Sequence, residues 1–358
     1  MSSYIEYNNK IAFHPGYYIK EYIDEVGLTQ EDFANRLGTT AKNISYIIRG
    51  EQSLSVDIAL KLSKLTGTSI IYWLNLQSQY DALLMEFHSQ NELIEERKLF
   101  RSIDYKYFRD NFQLPDLPKK VDEQILQLRK FLQVSSLTVF KNKDMYVRYR
   151  SANSEKFETN IVKANIMVQI ATNMALKQVD TPKYDKKKLL DEIDYMLTLT
   201  EKHDVFYPLI KKALYDCGIN LVVLPNLSGS KINGASKKIN HHIMLMISDR
   251  NAYSDSFWFT LFHEIGHIVN GDFGISFIDQ TGEIEDLANE FAAKALIPQE
   301  QYQDFVSGKI FTVSSIRKFA KQINRDPGIV LGRLQNDGHV KYNDWNLLSL
   351  KTKYAISI

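Results

Sequence analysis

The residues His263-Glu264-Ile265-Gly266-His267 constrain this 358-residue chain more than any other feature of its sequence. Two histidines four positions apart lie on one face of a helix, where both imidazole rings can reach one metal ion. The glutamate between them can touch a water molecule on that metal and act as a general base. The spacing therefore predicts a zinc hydrolase with His263 and His267 as metal ligands and Glu264 as the catalytic residue. The simpler interpretation, two core histidines on a buried helix, is disfavoured because unpaired buried imidazoles and a carboxylate cost free energy.

The residues around this motif predict a helix that ends shortly after it. Asp255 or Ser256 can cap the start, because a short polar side chain accepts a hydrogen bond from a free backbone N–H there. Asn270-Gly271 is typical of a helix end. The positions between them are predominantly apolar, as a helix buried in a core requires: Phe257, Phe259, Leu261, Phe262, Ile265, Ile268 and Val269.

Two short buried strands are predicted before this helix, over Ile219–Pro225 and Ile243–Ser248, with a glycine-containing loop between them. The second strand is either purely structural or an edge to which an extended substrate peptide can add. His241 and His242 precede it, and they are interpreted either as exposed loop residues or as groups that stabilise an oxyanion.

A catalytic zinc site needs a third protein ligand and leaves its fourth position to water. The metzincin pattern is excluded, because Asn270 and Phe273 stand where that pattern requires glycine and histidine. A glutamate on a following helix is the main alternative, and Ile284–Ile297, stopped by Pro298, is predicted to be that helix.

This helix offers three acidic candidates, of which Glu285 is favoured as the third metal ligand. At about 100° per residue, Glu285 and Glu290 point in directions too different for both to be ligands. Glu285 shares its face with small residues, which let another helix approach closely. Glu290 stands four positions before Lys294, a spacing typical of a solvent-exposed ion pair. Asp286 and Glu290 remain the alternatives.

The overall composition excludes several classes of protein. The formal net charge is +1, so no global field marks a nucleic-acid or membrane partner, and Cys217 is the only cysteine, which rules out an intrachain disulfide. The first residues lack an apolar signal core, and no run of eighteen apolar residues occurs. A cytoplasmic protein without a membrane span is expected.

The region from His14 to Tyr80 is predicted to form five short helices. Thr29 can cap one helix, Gly38 ends it, and Thr40 starts the next after a tight turn. This second helix, which extends to Arg49, buries isoleucines and leaves its polar face free. The layout is that of a helix-turn-helix, whose second helix enters the major groove of DNA.

The polar front of this unit provides the candidate DNA contacts. Gln30 and Thr40 suit phosphate or base-edge contacts, and Lys42 and Asn43 can read bases. However, residues 1–77 carry seven basic and eight acidic side chains, a net charge of −1 that is weak for a DNA-binding unit. A small helical packing or dimerisation domain is therefore the alternative.

Five segments of this region closely resemble the HigA-type antitoxin branch of the Cro/repressor helix-turn-helix family. They are His14-Pro15-Gly16, Leu28-Thr29-Gln30, Asn43-Ile44-Ser45, Arg49-Gly50 and Trp73-Leu74-Asn75-Leu76-Gln77. The resemblance covers nearly all of residues 13–81. It implies an operator-binding homodimer, with a toxin as a possible partner. It also implies the DNA-contact residues: Gln30, Thr40, Lys42, Asn43 and Tyr46.

Residues 82–215 are expected to be mainly helical. The segment Leu114-Pro115-Asp116-Leu117-Pro118 interrupts this pattern and marks a predicted junction. Aromatic and basic residues interleave at Tyr105–Arg109 and again at Tyr146 and Arg148–Arg150. Packed helices with a solvated face are favoured there over a nucleic-acid surface.

The C-terminal region resembles the ImmA/IrrE metallopeptidase family over about residues 205–345. The motifs that carry this resemblance are Phe257–His267, Glu285 with Ala288–Ala293, Leu296-Ile297-Pro298 and Pro327–Gln335. The resemblance implies that zinc is bound by His263, His267 and Glu285, with Glu264 as the catalytic base. Characterised members cleave helix-turn-helix repressors. One departure is Leu287, where many members carry a second acidic residue.

Together these features predict a mainly α protein with a small β-sheet. A five-helix helix-turn-helix domain (residues 1–81) is followed by a helical connecting region (82–200) and a zincin-like α+β metallopeptidase domain with a C-terminal helical extension (201–358). The predicted function is a DNA-binding transcription regulator whose zinc-dependent endopeptidase domain cleaves a protein such as a repressor or antitoxin. The alternative is an antitoxin-like autorepressor whose zinc domain senses or binds without cleaving.

Overall fold

The computed structural model describes residues 4–7, 9–142, 155–250, 253–278 and 281–354. They belong to two compact units, Met1–Glu96 and Arg97–Ile358. The described residues are mainly helical and carry two small sheets, which confirms the predicted fold class. The three-part division at residues 81 and 200 stays a prediction. The mixed aromatic and basic segment at Tyr146 and Arg148–Arg150 lies outside the described residues.

The first unit is a helix-turn-helix bundle preceded by a hairpin that the sequence did not predict. Its helices are capped as predicted, because the hydroxyls of Thr29 and Thr40 accept backbone hydrogen bonds and Gly38 takes a left-handed conformation with φ of 67°. The core includes the fully buried Phe33 and Ile44. The elements are β1 (Tyr4–Tyr7), β2 (Lys10–Phe13), α1 (Pro15–Glu25), α2 (Gln30–Leu37), α3 (Ala41–Ile48), α4 (Val56–Thr66) and α5 (Ile70–Phe100).

The second unit is α+β, and its helices before the sheet confirm the predicted helical middle. These are α6 (Tyr105–Phe112), α7 (Val121–Leu132), a 3₁₀ turn (Leu137–Lys141), α8 (Glu155–Leu176), α9 (Lys186–Asp191), α10 (Ile193–Leu197) and α11 (Phe206–Asp216). The strands are β3 (Ile219–Pro225), β4 (Ile232–Ile239), β5 (His242–Asp249) and β6 (Gly274–Phe277). The remaining elements are α12 (Ser254–Asn270), α13 (Glu283–Leu296), α14 (Gln299–Ser307), α15 (Val313–Gln322), α16 (Pro327–Asn336) and a 3₁₀ turn (Trp345–Leu350).

The four strands form a sheet in the order β3-β5-β4-β6, in which β3 and β5 are parallel and the other pairs antiparallel. Leu221 pairs with Leu245, and their side chains join a core that also contains Phe262 and Ile265 of α12. Helix α8, from the predicted connecting region, also packs on β3 and β5. Strands β3 and β5 are therefore buried on both faces, and this burial explains their near-continuous apolar sequences.

The structure excludes one of the two interpretations of β5, and strand β4 lies where a loop was expected. Strand β5 is not an edge, because β3 and β4 flank it on either side, so no substrate peptide can add to it. Strands β4 and β6 were not predicted. The sequence of β4, Ile-Asn-Gly-Ala-Ser-Lys-Lys-Ile, has few residues that favour strands, and its conformation depends on pairing with β5 and β6.

The start of α12 is held by a distant segment rather than by a capping side chain. The helix begins at Ser254 with no side-chain cap, so the predicted capping role of Asp255 or Ser256 is wrong. Asp255 instead forms an ion pair with Lys351, at 2.7 Å between Oδ2 and Nζ. The Ser254 N–H donates to the Thr352 carbonyl at 2.9 Å. Residues 351–354 thus hold the first turn of α12 by an ion pair and a backbone hydrogen bond, a contact called the clasp below.

Among the described residues, no helix is long and apolar enough to cross a bilayer.

Candidate metal centre and nucleic-acid interface

The candidate metal centre lies where α12 and α13 approach each other closely. A Cβ atom added to Gly266 of α12 would lie only 3.2 Å from the Ala288 Cα and from Phe291 of α13. Gly266 and Ala288 therefore allow the backbones of α12 and α13 to approach closely. This close approach was predicted from the small residues that share a helix face with Glu285. The close approach brings side chains of both helices to one point.

The structure brings together His263, His267 and Glu285. The Nε2 atoms of His263 and His267 are 3.0 Å apart. The Glu285 Oε2 atom lies 3.3 Å from the His263 Nε2 atom and 3.5 Å from the His267 Nε2 atom. All three residues are buried, and their ligand atoms lie within 4.8 Å of one another. Two imidazole nitrogens and one carboxylate oxygen therefore converge on one small volume.

Asn289, one turn after Glu285, orients one of these imidazoles. Its Oδ1 atom lies 2.9 Å from the His263 Nδ1 atom, so this carbonyl accepts a hydrogen bond from the Nδ1–H. The proton on Nδ1 leaves the Nε2 lone pair free and directed at the cluster. Asn289 lies within Ala288–Ala293, one of the segments that resemble the metallopeptidase family, but no role was predicted for it. An asparagine four residues after a candidate ligand, and so on the same helix face, was the available signal.

Glu264 lies beside the cluster and is fully buried under β4. A Cβ atom on Gly234 would lie 2.5 Å from its Oε1 atom, so the glycine makes room for this carboxylate. Both carboxylate oxygens are buried without a well-formed hydrogen bond to any described residue. A carboxylate in this state requires a polar partner, and a water molecule is the simplest one.

The pKa values of Glu264, Glu285 and His263 are shifted by burial and by hydrogen bonds and charges within the site. Burial raises the pKa of Glu264, against the opposing effects of the two imidazoles and the Ser276 hydroxyl. Glu285 is also desolvated, but its hydrogen bonds with His263 and His267 outweigh that effect and hold its pKa far below the usual range. Burial lowers the pKa of His263, but the bond with Glu285 and the nearby Glu264 charge reverse the sign and raise it. The pKa values of these two carboxyl groups are thus shifted in opposite directions, upward for Glu264 and downward for Glu285.

The other candidates lie outside this cluster. Asp286 and Glu290 are exposed, and Glu290 pairs with Lys294 at 2.5 Å, as its spacing predicted. His241 is exposed at the turn between β4 and β5, whereas His242 is the buried first residue of β5, so the interpretation as exposed loop residues holds for His241 only. Both lie about five strand residues from Gly234, which is about 16 Å at the usual rise per residue. That position is too remote for a role in stabilising an oxyanion beside Glu264.

The candidate DNA contacts form one face of the first unit. Gln30, at the start of α2, and Thr40 and Lys42, at the start of α3, are exposed. Asn43 and Tyr46 are half-buried on the same helix. The Lys42 Nζ atom lies 5.6 Å from the centroid of the Tyr46 ring. Thr40, Lys42, Asn43 and Tyr46 thus belong to the helix that a helix-turn-helix presents to DNA, and Gln30 begins the helix before it.

Several of these side chains are held by local hydrogen bonds. The Thr40 hydroxyl accepts from the Asn43 N–H at 3.2 Å, and the Asn43 amide bonds to Thr39 at 3.0 Å and Gln52 at 2.8 Å. These bonds fix the start of α3 before any ligand binds. The ordering cost of a binding surface is lower when its side chains are already constrained.

Comparison with known proteins finds one family match in each of the two compact units. A helix-turn-helix family profile matches residues 19–73, and an IrrE N-terminal-like domain profile, of peptidase family M78, matches residues 218–315. The second match contains the candidate metal cluster, and the first contains α2 and α3.

Several known proteins are similar to about a fifth to a quarter of this chain. Virulence-associated protein I of Dichelobacter nodosus is 32% identical over 85 residues, which are 24% of this chain and 79% of that protein. The HTH-type transcriptional regulator YddM of Escherichia coli, itself uncharacterised, is 34% identical over 73 residues, 20% of this chain and 78% of that protein. A solved structure of a candidate antidote protein of a plasmid maintenance system from Nostoc punctiforme is 36% identical, with 24% of this chain and 91% of that chain covered and a TM-score of 0.22. The chain therefore belongs to the helix-turn-helix family through its N-terminal region and carries an IrrE-like, peptidase-family domain behind it.

Proposed function

We propose that this protein is a DNA-binding transcription regulator whose second unit is a zinc-dependent endopeptidase. The observation that carries the proposal is the buried cluster of His263, His267 and Glu285 with the carboxylate of Glu264 beside it, fully buried and without a well-formed hydrogen bond to any described residue. A purely structural metal site has no use for a fourth group that is an uncoordinated carboxylate. A hydrolytic site requires one.

The residues of the cluster fit zinc. Two histidines and a carboxylate are one of the ligand sets of catalytic zinc, which leaves one position open. The Asn289 carbonyl holds His263 in the tautomer that a metal ligand needs. When bound, Zn²⁺ supplies Lewis acidity, which lowers the pKa of a coordinated water and polarises a carbonyl group.

Glu264 would act as the general base. Its burial raises its pKa toward the working range of a group that both accepts and returns a proton. It takes a proton from the attacking water and passes that proton to the amine as the peptide C–N bond breaks. Gly234 and the two flanking ligands hold its carboxylate in place.

Strand β6 is the surface that we propose for the backbone of the substrate. It pairs with β4 alone among the described strands, so its other edge is open. Ser276 of β6 pairs with Gly234, the residue that contacts Glu264, and so the strand runs past the catalytic carboxylate. An extended peptide that adds to this edge would pass the site with its backbone hydrogen-bonded.

The first unit would bind an operator as a homodimer, with Gln30, Thr40, Lys42, Asn43 and Tyr46 at the DNA. Exposure of the start of α3 supports this role. A protein that carries a helix-turn-helix is the substrate class that we propose, either a repressor or an antitoxin, including a second copy of this chain. A toxin partner remains a prediction from the sequence resemblance.

The test begins with the metal content of the purified full-length chain. One zinc per chain, lost in Glu285→Ala and kept in Glu290→Ala, is expected. The zinc-loaded protein is then incubated with a random-sequence peptide library and with its own promoter DNA. Cleavage that is absent in Glu264→Gln, together with salt-sensitive DNA binding, supports the proposal. Cleavage at the wild-type rate by Glu264→Gln contradicts the assigned mechanism, and zinc-free protein that cannot be reconstituted contradicts the metal site.

A further inference from the structure

The segment between α3 and α4 carries Gln52, a residue that is not among the predicted DNA contacts, and it is held on both sides of that residue. The Glu51 N–H donates to the Tyr46 carbonyl at 2.9 Å, so the chain before Gln52 turns back on the end of α3. The Leu54 N–H donates to the side-chain carbonyl of the buried Gln77 at 2.8 Å. The backbone of Gln52 is therefore positioned before any ligand binds.

The side chain of Gln52 reaches back to the first turn of α3. Its Nε2 atom donates to the Asn43 Oδ1 atom at 2.8 Å. Asn43 is the third residue of α3, and its own Nδ2 atom donates to the Thr39 hydroxyl at 3.0 Å. Gln52 is exposed, whereas Asn43 is half-buried. The exposed amide of Gln52 thus lies at the end of α3 that a helix-turn-helix directs at base edges.

These hydrogen bonds leave the two amide groups with different capacities for a ligand. Both ends of the Asn43 amide are engaged, its oxygen by Gln52 and its nitrogen by Thr39. A bidentate contact between Asn43 and a base would compete with both bonds. Within the described part of the chain, the side chain of Gln52 is bonded through one N–H only. Its Oε1 atom and its second N–H therefore remain open to a ligand.

We propose that Gln52 reads an adenine in the major groove and that Asn43 positions it for this contact. The inference rests on the proposed DNA-binding function of the first unit. Adenine presents an acceptor, N7, beside a donor, the N6 amino group, and a glutamine amide pairs with both through one N–H and its oxygen. The other N–H of Gln52 keeps its bond to Asn43, which holds the amide plane in place.

The same amide fits the other three bases less well. Guanine presents two acceptors in the major groove, N7 and O6, so the Gln52 oxygen would face an acceptor there. Cytosine offers only a donor, and thymine offers an acceptor beside a methyl group. A bidentate contact of this kind discriminates against the wrong base by roughly 5–150-fold in affinity. A homodimer presents two copies of Gln52, so the expected operator carries one such adenine in each half-site.

The test begins with selection of duplexes from a random-sequence DNA library by the full-length protein. The selected motif should contain one adenine in each half-site that Gln52→Met no longer requires, while the other positions of the motif are kept. Methionine is unbranched and similar in length to glutamine but lacks the amide. Gln79→Met is the matched control, because Gln79 is an exposed glutamine on α5, outside the candidate DNA contacts, and it should leave the motif unchanged.

A second measurement tests the contact without altering the protein. The adenine is replaced by 7-deazaadenine, which lacks the N7 acceptor. The wild-type protein should bind this duplex at least about fivefold more weakly than the unmodified one, and Gln52→Met should bind the two duplexes equally.

Two variants test the positioning role of Asn43. Asn43→Leu should reduce the preference for adenine over guanine at the selected position. Asn43→Asp should retain that preference, because it keeps an acceptor for the Gln52 N–H. The readout is the ratio of the two affinities, which a general loss of DNA binding does not change. Equal ratios in the wild-type protein and Asn43→Leu would remove Asn43 from the inference.

The outcomes separate this inference from the function on which it rests. Selective DNA binding in which Gln52→Met relaxes no position, or relaxes a position that is not adenine, would overturn the inference and leave the DNA-binding function in place. Equal affinity of the wild-type protein for the adenine and 7-deazaadenine duplexes would do the same. Relaxation of the same position by Gln79→Met would also overturn it. Failure of the wild-type protein to select any sequence would refute the DNA-binding function and the inference together.

Discussion

Gly234→Ala should inactivate the proposed peptidase while leaving its metal ligands in place. The new Cβ atom would lie 2.5 Å from the Glu264 Oε1 atom and 2.7 Å from its Cγ and Cδ atoms, whereas ordinary contacts begin at 3.4 Å. The carboxylate must therefore move by about 0.8 Å. It cannot turn into solvent, because Glu264 is fully buried. A displacement of this size at a reacting group lowers a rate by about 10²-fold.

The same overlap should also destabilise the second unit. Overpacking of a buried site costs about 1–3 kcal/mol, which corresponds to a Tm lower by roughly 3–10 °C in a unit of this size. Zinc content should stay at the wild-type value, because His263, His267 and Glu285 come from α12 and α13 rather than from β4.

The assay compares the rate of peptide cleavage, the zinc content and the Tm of Gly234→Ala with those of Gly308→Ala. Gly308 is a suitable control, because its nearest neighbour to an added Cβ atom is the Phe305 carbonyl oxygen at an ordinary 3.5 Å. Cleavage by Gly234→Ala at the wild-type rate would refute the assignment of Glu264 as a positioned base. Loss of zinc in this variant would show that the site depends on β4 in a way that the ligand positions do not require.

Three further predictions concern other parts of the molecule. Asn289→Ala should lower zinc affinity by about 10–100-fold in a chelator competition, because His263 loses the partner that fixes its tautomer, and Glu290→Ala should have no such effect. Lys42→Ala should weaken operator binding and reduce the slope of log K against log salt by about 1, whereas Lys20→Ala on α1 should not; equal slopes for both would remove Lys42 from the interface. The pKa of His14 lies below its usual 6.5, because its ring is buried and its Nδ1 atom accepts the Gly16 N–H. The unfolded chain therefore binds this proton at higher pH than the folded one, so the first unit should keep its full stability above pH 6.5 and lose stability as the pH falls below that value. Hydrogen exchange of amides in this unit as a function of pH measures the effect, and protection that does not weaken below pH 6.5 would contradict it.

Local signals allowed much of the fold to be predicted from the sequence. The helices of the first unit carry threonine caps and a left-handed glycine, which are determined within a few residues. Strands β3 and β5 are continuous apolar segments, so they too were recognisable. Strands β4 and β6 were missed, because they become strands through pairing with distant partners rather than through their own residues.

In the candidate site too, features set by local sequence could be predicted and features set by distant contacts could not. Helical spacing was enough to predict that His263 and His267 share a face, and small residues pointed to Glu285 on the neighbouring helix. The fit of Gly234 over Glu264 could not be predicted, because it depends on the register of β4 over α12.

The clasp of residues 351–354 on the first turn of α12 has a consequence for protein synthesis. Lys351 stands 96 residues after its partner Asp255. At about 5–20 residues per second, a ribosome needs roughly 5–20 s to make the intervening segment. During that interval a nascent chain already carries both histidines and Glu264 but lacks the backbone and charge partners that anchor their helix. We therefore expect hydrolytic competence to arise only after residue 354 has been translated, so that truncated products would carry the motif without the activity.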